Sequence, residues 1–439
     1  PMGIPMGIPM GILMGILWIR SYNNSLLQRL LKTVGSKNAN LKNLRKIMTE
    51  IVILSGTRTA IGTFGGSLSK VSPIDMGTAV IKKSIERAGI DPSQIDHVAM
   101  GHVINTESRD AYLSRVASIK AGISTDTPAM NVNRLCGSGL QAIVSVTQSL
   151  MLGDADFGVA GGSENMSQAP YVLQNSRWGK KMGDTIAQDM LLAALNCPFG
   201  TGHMGVTAEN VAKEHSISRE SQDLFALESQ RRAHIAIESG YFDEQIVPIE
   251  IKNRKELVEF KVDEHPKHSD INTLSNLKPA FKKDGSVTPG NASGLNDGAG
   301  ALVLSTENAA SSARLKPKAR ILGYAHAGVR PEVMGIGPIP AVQNLLMKTG
   351  LKISDFDVVE SNEAFAAQAL AVNKKLNLDP KKVNPNGGAI ALGHPIGATG
   401  AIIAVKALYE LERINGSKAL ITMCIGGGQG IALAIEKIS

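Results

Sequence analysis

Along most of the chain, short apolar runs alternate with longer segments whose apolar residues recur every three or four positions, the pattern of strands alternating with helices. Glu50-Ile-Val-Ile-Leu54 predicts a buried strand, and Ser72-Pro73 predicts the cap and first turn of a helix running through Arg87. Ile143, Val144, Thr147, Leu150 and Met151 follow Cys136 at helical spacing, and Ile402, Ile403 and Leu408 follow His394 in the same way. Such alternation implies mostly parallel sheets covered on both faces, with sites at the loops beyond strand ends. Across residues 167–296 the alternation gives way to polar helical stretches such as Ser216-Ile-Ser-Arg-Glu-Ser-Gln-Asp-Leu-Phe225, which predict an inserted region covering a site.

The pattern is also repeated. Gly89-Ile-Asp-Pro-Ser-Gln-Ile-Asp-His-Val98 lies without gaps on Gly350-Leu-Lys-Ile-Ser-Asp-Phe-Asp-Val-Val359, each leading from a helix into a strand. Asn131-Val-Asn133 before Cys136 echoes Asn384-Pro-Asn386 before His394. A third echo pairs Val159-Ala-Gly-Gly162 with Cys424-Ile-Gly-Gly-Gly428, each glycine run expected to follow an apolar strand. Two duplicated halves are expected, with function between them.

Composition narrows the picture. A chain of 439 residues has ample core for two or three domains. The formal charge of +7 suggests a polyanionic partner until the charges are located. Residues 1–47 hold Arg20, Arg29, Lys32, Lys37, Lys42, Arg45 and Lys46 and no acidic residue; without them basic and acidic residues balance, so neither nucleic acid nor a membrane surface is expected as partner. That leader opens on Pro-Met-Gly-Ile repeats, whose spaced prolines oppose a spanning helix, and no charged segment precedes it as a signal peptide requires. Its basic, Ser- and Asn-rich remainder has the composition of a mitochondrial transit peptide, or belongs to sequence upstream of a start at Met48; either way it is expected outside the fold. Three cysteines, at 136, 197 and 424, fit neither a metal site nor a disulfide framework and point to a reducing compartment.

Four polar loops compete for the chemistry: those of Cys136, Asn362-Glu-Ala-Phe-Ala366, Gly393-His-Pro395 and Cys424-Ile-Gly-Gly-Gly428. Read alone, Cys136 is either a small packing thiol or a nucleophile whose thiolate the following helix N-terminus favours. A cysteine needs a base to become a thiolate at neutral pH, which His394 could supply, and an independent Cys424 suggests a second proton transfer. Cys197, in Asn196-Cys-Pro-Phe199, has no such companions and is expected to pack. Gly290-Asn-Ala-Ser-Gly294 fits neither common nucleotide phosphate loop, so ATP and NAD are not indicated.

Asn133-Arg-Leu-Cys-Gly-Ser-Gly139, His203-Met-Gly205, Gly290-Asn-Ala-Ser-Gly294, Asn362-Glu-Ala-Phe-Ala366, Gly393-His-Pro395 and Cys424-Ile-Gly-Gly-Gly428, in this order, resemble the thiolases, especially the acetyl-CoA acetyltransferases and β-ketothiolases. The resemblance runs from about Thr49 to the C-terminus. It implies an α/β, five-layered αβαβα fold of two duplicated halves plus an inserted loop domain: halves at 48–166 and 297–439, and a coenzyme A-binding loop domain at 167–296. It implies reversible condensation of two acetyl-CoA to acetoacetyl-CoA and coenzyme A through an acyl-cysteine. Cys136 would be the nucleophile, His394 its base and Cys424 the α-proton base. One oxyanion site would use His394 with a water held by Asn362, the other the backbone N–H groups of Cys136 and Gly426. His203, Met204 and Ser293 would line the coenzyme A tunnel, with Lys267 near the adenine, where an arginine is commoner; Pro289 stands where alanine is usual. No metal and no cofactor apart from the coenzyme A of the substrate is implied. A homotetramer is, in the cytoplasm, or in mitochondria if the leader is a transit peptide. A broader or longer-chain 3-ketoacyl-CoA thiolase remains the alternative. A β-ketoacyl synthase would be expected to carry a second histidine where this chain has Cys424 or Asn362. A cysteine hydrolase would leave both unexplained, and a non-catalytic lipid-carrier relative would be expected to have lost a reactive side chain.

Overall fold

Alternation along the first strand decides the architecture. In the computed structural model, which describes residues 49–253 and 256–438, Ile51 and Ile53 of β1 (Ile51–Thr59) face one apolar cluster while Val52 and Leu54 face another. A strand buried on both faces belongs to a sheet covered twice. The strand outruns its expected end at Leu54, because Ser55, Thr57 and Arg58, polar as they are, sit fully buried with partners. Ser55 and Thr57 donate to the carbonyls of Ser84 and Val80, and Arg58 pairs with Asp263.

α1 (Pro73–Ala88) begins where expected, Ser72 accepting the N–H of Asp75, and ends at Gly89 in the left-handed region. β2 (His97–Gly101), α2 (Leu113–Lys120), β3 (Ala129–Val132), α3 (Ser138–Leu152) and β4 (Phe157–Asn165) complete the first half. Gly161 and Gly162 lie inside β4 rather than after it. The insertion carries α4 (Met204–Glu214) and α5 (Arg219–Glu238), the latter capped by Ser218. It is stitched into the sheet, since Ile246 and Val247 pair in parallel with β1. The rest comprises β5 (Asn296–Thr306), β6 (Ala319–Gly328), α6 (Pro338–Thr349), β7 (Val358–Ser361), α7 (Ala366–Leu376), α8 (Thr399–Arg413), β8 (Lys418–Ile425) and β9 (Gln429–Lys437).

The first sheet runs β3-β2-β4-β5-β1 and the second β7-β8-β9-β6, joined where β1 and β6 share two antiparallel residue pairs. The expected mostly parallel sheets are in fact mixed: β2 pairs in parallel with β3 and β4, and β7 with β8, whereas β1, β5, β6 and β9 pair antiparallel with their sheet neighbours. The two orders correspond strand for strand if the isolated bridge at Val383 beside β7 stands for the counterpart of β3. The repeated segment folds alike in both halves. Each passes through a short 3-10 turn, Pro92–Gln94 and Ile353–Asp355, and the aligned Asp96 and Asp357 perform one task. Asp96 accepts the N–H groups of Asp156 and Phe157 at the start of β4; Asp357 accepts those of Ser417 and Lys418 at the start of β8.

Helices α3 and α8 lie between the sheets, filling the inner core with Leu140, Ile143, Ile403 and Leu408 against Ile53, Leu304, Ile421 and Leu433. α1 and α2 cover the outer face of the first sheet, and α6 and α7 that of the second. The result is five layers, αβαβα. The window Leu135–Leu152 is apolar and long enough to cross a membrane, but in α3 that apolarity meets sheets on both sides; Met151 alone of the five expected core positions is exposed. Residues 1–47, expected outside the fold, lie outside the described residues.

Candidate active site

The two central helices meet at their N-termini because glycine lets them. A Cβ on Gly400 would stand 2.2 Å from the backbone nitrogen of Leu140, and one on Gly139 2.7 Å from that of Ala401. The loops preceding α3 and α8 are therefore brought together, and they are the loops of Cys136 and His394.

Cys136 sits two residues before α3, on a turn held from both ends. Asn133 accepts the N–H of Leu135 through Oδ1, and Ser138 donates to the Leu135 carbonyl while accepting the N–H of Arg134. Leu135 is forced to φ 46°, a conformation that costs a branched side chain on the order of 1–3 kcal/mol and marks a turn built for display. Burial pushes Cys136 above the usual thiol range, and the N–H groups of Gly426 and of Cys136 itself offset this only in part.

His394 follows a short helix, Ala389–Leu392, and its backbone N–H donates to Asn296 Oδ1 at 2.9 Å. Glu164, buried at the end of β4, accepts the N–H of Gly397 and so fixes the far end of the same loop. The hydroxyl of Thr399 donates to the Pro395 carbonyl at 2.9 Å, so its oxygen must accept from His394 Nδ1–H at 2.7 Å. This bond fixes the tautomer and leaves Nε2 with a free lone pair. Burial pulls the imidazole down to about 4, so it is neutral at physiological pH. Asn362, directly after β7, brings Nδ2 to 3.5 Å from His394 Nε2.

Cys424, expected to open a polar loop, is instead the penultimate residue of β8, 1% exposed. Burial and then the adjacent Cys136 push its thiol far above the ordinary range. Both cysteines, His394 and Gly426 line one cavity of about 650 Å³. His203, Met204, Ser293 and Lys267 line it too, as does Pro289, whereas Asn362 stands behind His394 outside its lining. His203 caps α4, its Nδ1 accepting the N–H of Gly205, and stacks on Phe281 with ring centroids 4.7 Å apart. Ser293 donates to the Ala364 carbonyl, tying its loop to the segment after Asn362. Lys267 is exposed and held through its backbone, which donates to Gln230. Cys197 packs against Met204, Ala208 and Val287, as expected of a core thiol.

Thr399, Asn296 and Glu164 were missed in the sequence. Each is a polar residue at the boundary of an apolar element, which is the one signal they carry.

Residues 51–308 match the thiolase N-terminal domain and residues 315–437 the thiolase C-terminal domain. A beta-ketothiolase BktB of Cupriavidus necator is 57% identical over 391 residues, covering 89% of this chain and 99% of its own. An acetyl-CoA acetyltransferase of the same organism is 50% identical over 393 residues, covering 89% of this chain and all of its own. The crystal structure of the Bacillus anthracis acetyl-CoA acetyltransferase superposes with a TM-score of 0.87 at 46% identity, covering 89% of this chain and 99% of that one. The duplicated five-layered fold, the two domain matches and these relatives together make this chain a member of the thiolase family.

Proposed function

We propose that the protein is an acetyl-CoA C-acetyltransferase, reversibly condensing two acetyl-CoA to acetoacetyl-CoA and coenzyme A. The observation that carries this reading is the convergence of a half-buried thiol, a buried thiol and one tautomer-fixed histidine on a single large apolar cavity.

In the resting site Cys136 is a thiol and His394 a neutral imidazole. As Cys136 Sγ bonds to the thioester carbonyl carbon, its proton passes to His394 Nε2. The backbone N–H groups of Cys136 and Gly426, already directed at the thiol, stabilise the oxyanion; one such donor is worth roughly 3 kcal/mol in comparable sites. Coenzyme A departs as a thiolate and takes the proton of Cys424. The Cys424 thiolate then removes the α-proton of a second acetyl-CoA. The enolate oxygen is stabilised by His394 Nε2–H and a water held by Asn362, and its carbon attacks the acetyl group on Cys136. Collapse releases acetoacetyl-CoA, and Cys136 recovers its proton from His394. Every bond formed is matched by one broken, and no metal or redox cofactor is called on.

His203, Met204 and Ser293 are assigned to the pantetheine arm and Lys267 to the nucleotide end, as the cavity wall supports. Residues 48–166 and 297–439 act as the two halves and 167–296 as the covering loop domain. A homotetramer in the cytoplasm completes the reading, with mitochondria the alternative if the leader is a transit peptide; free cysteines suit either reducing setting. The 57% identity to a beta-ketothiolase favours a second reading, a broader 3-ketoacyl-CoA thiolase of the same mechanism. Thiolysis rates with acetoacetyl-CoA and longer 3-ketoacyl-CoA esters separate the two.

The roles of the thiols are tested by intact-mass spectrometry after mixing with acetyl-CoA. Cys136→Ala should carry no acetyl group. Cys424→Ala should acetylate at Cys136 and fail to form acetoacetyl-CoA. Acetylation of the first variant and not of the second would reverse the assignment, and normal turnover in both would reduce the two cysteines to packing.

A further inference from the structure

Behind Asn362 lies a second, much smaller cavity, of about 10 Å³, bounded by Glu360, Ser361, Asn362, Asn384, Thr399 and Lys406. That is room for one water molecule. Three buried polar atoms of its walls have no partner among the described residues: Glu360 Oε1, Ser361 Oγ and Asn362 Oδ1. Three orphans beside one small cavity are unusual, since each would cost on the order of 1–3 kcal/mol if left unpaired.

Lys406 supplies the complement. Its ammonium, 3% exposed, donates to Glu360 Oε2 at 2.9 Å and to the Gly387 carbonyl at 2.7 Å, which uses two of its three protons. A lysine in the middle of α8, a helix otherwise committed to the apolar core, is expensive to bury, and a simple apolar residue would pack there at lower cost. The adjoining residue that gains from the arrangement is Asn362. Its Nδ2 must face His394 Nε2, the lone-pair nitrogen, so its Oδ1 must face away.

We propose that Lys406 and Glu360 form a positioning pair that holds a single water in this cavity, and that this water, bonded to Asn362 Oδ1, locks the amide with Nδ2 on the His394 side, where it holds the separate water that serves the oxyanion. The pair touches no substrate atom and acts through Asn362. Burial also pushes Glu360 up to about 7, held in check by Lys406, so the pair is poised without being freely solvated.

The inference rests on the role proposed for Asn362, and the experiment separates the two. Acetylation of Cys136 uses the other oxyanion site, whereas condensation needs Asn362. Lys406→Met with Glu360→Leu together removes both charges and keeps the volume, so that neither charge is left buried alone. This double variant should acetylate Cys136 at the wild-type rate, keep its KM for acetyl-CoA, and form acetoacetyl-CoA about 10–100-fold more slowly, as expected when an orienting partner is lost. Asn362→Ala serves as reference. If Asn362→Ala condenses normally, the reading of Asn362 falls and the inference with it. If Asn362→Ala is slow and the double variant is normal, only the inference is overturned. Should the double variant not fold, a high-resolution crystal structure of the unaltered protein decides: an ordered water between Glu360 Oε1 and Asn362 Oδ1 supports the pair, and a dry cavity overturns it.

Discussion

A histidine that must take a proton from Cys136 is kept neutral by burial, its imidazole drawn down to about 4. At that residue, chemistry and stability pull in opposite directions. An unfolded chain protonates His394 near its ordinary 6.5, whereas the folded chain waits until about 4, so between these values the unfolded state binds more protons. Stability contributed by keeping His394 neutral is therefore intact above about pH 6.5 and falls as pH drops toward 4, by up to about 3 kcal/mol. Activity follows a different course, because the base stays available while the histidine stays neutral. Single-turnover acetylation of Cys136, quenched and read by mass, should show no acid limb near 6.5 and should decline only as pH nears 4. A limb at 6–6.5 would mean that His394 titrates as a solvated imidazole and that its burial does not govern the step. The Thr399 hydroxyl belongs to the same argument: by directing Nδ1–H, it makes Nε2 the only nitrogen able to accept.

Elements bring these residues together through contacts that no single element displays. The duplication was legible in the sequence because an ungapped match placed Asp96 on Asp357, and both cap the start of a neighbouring strand. The extension of β1 was not, because Ser55, Thr57 and Arg58 look like solvent-facing residues until α1 and Asp263 supply their partners. Nor was the placement of Cys424 inside β8, where strand pairing with β9 takes in Cys424 and Ile425, the first two residues of the expected loop. Glycines at the crossing of α3 and α8 carry the clearest test. Gly400→Ala puts a methyl against backbone, which cannot yield, and should destabilise by about 1–3 kcal/mol or more while separating the Cys136 and His394 loops. Gly77→Ala in α1 is the contrast, since its Cβ would meet Ser163 and Ala117 at ordinary distances of 3.5 and 3.6 Å; it should be neutral or stabilising by about 0.5–1 kcal/mol. Urea midpoints and acetylation rates of the two variants check both; equal midpoints would remove the crossing as the reason for glycine at 400.

At the scale of the molecule, two surfaces among the described residues bear on assembly. One is the edge of the first sheet, where β3 has no further strand beside it among the described residues and Met130 is 38% exposed. The other is a hairpin of Tyr171–Leu173 and Ala187–Asp189, whose connecting residues expose Trp178, Met182 and Ile186, each more than four-fifths accessible. The hairpin could not be read from the chain, since apolar residues inside the 167–296 insertion look the same whether they face a core or a second subunit. Large apolar side chains exposed together mark an interaction site, and a tetramer with two-fold symmetries requires two kinds of self-complementary contact. Sedimentation at micromolar concentration should therefore give a homotetramer. Replacing Trp178, Met182 and Ile186 together by serine should leave a smaller species, most simply a dimer through the β3 edge. Cys136, His394 and Cys424 line a cavity within one chain, so acetylation should persist in that dimer. A variant that remains tetrameric would show that the hairpin does not join subunits, and a dissociated variant unable to acetylate Cys136 would show that assembly shapes the site itself.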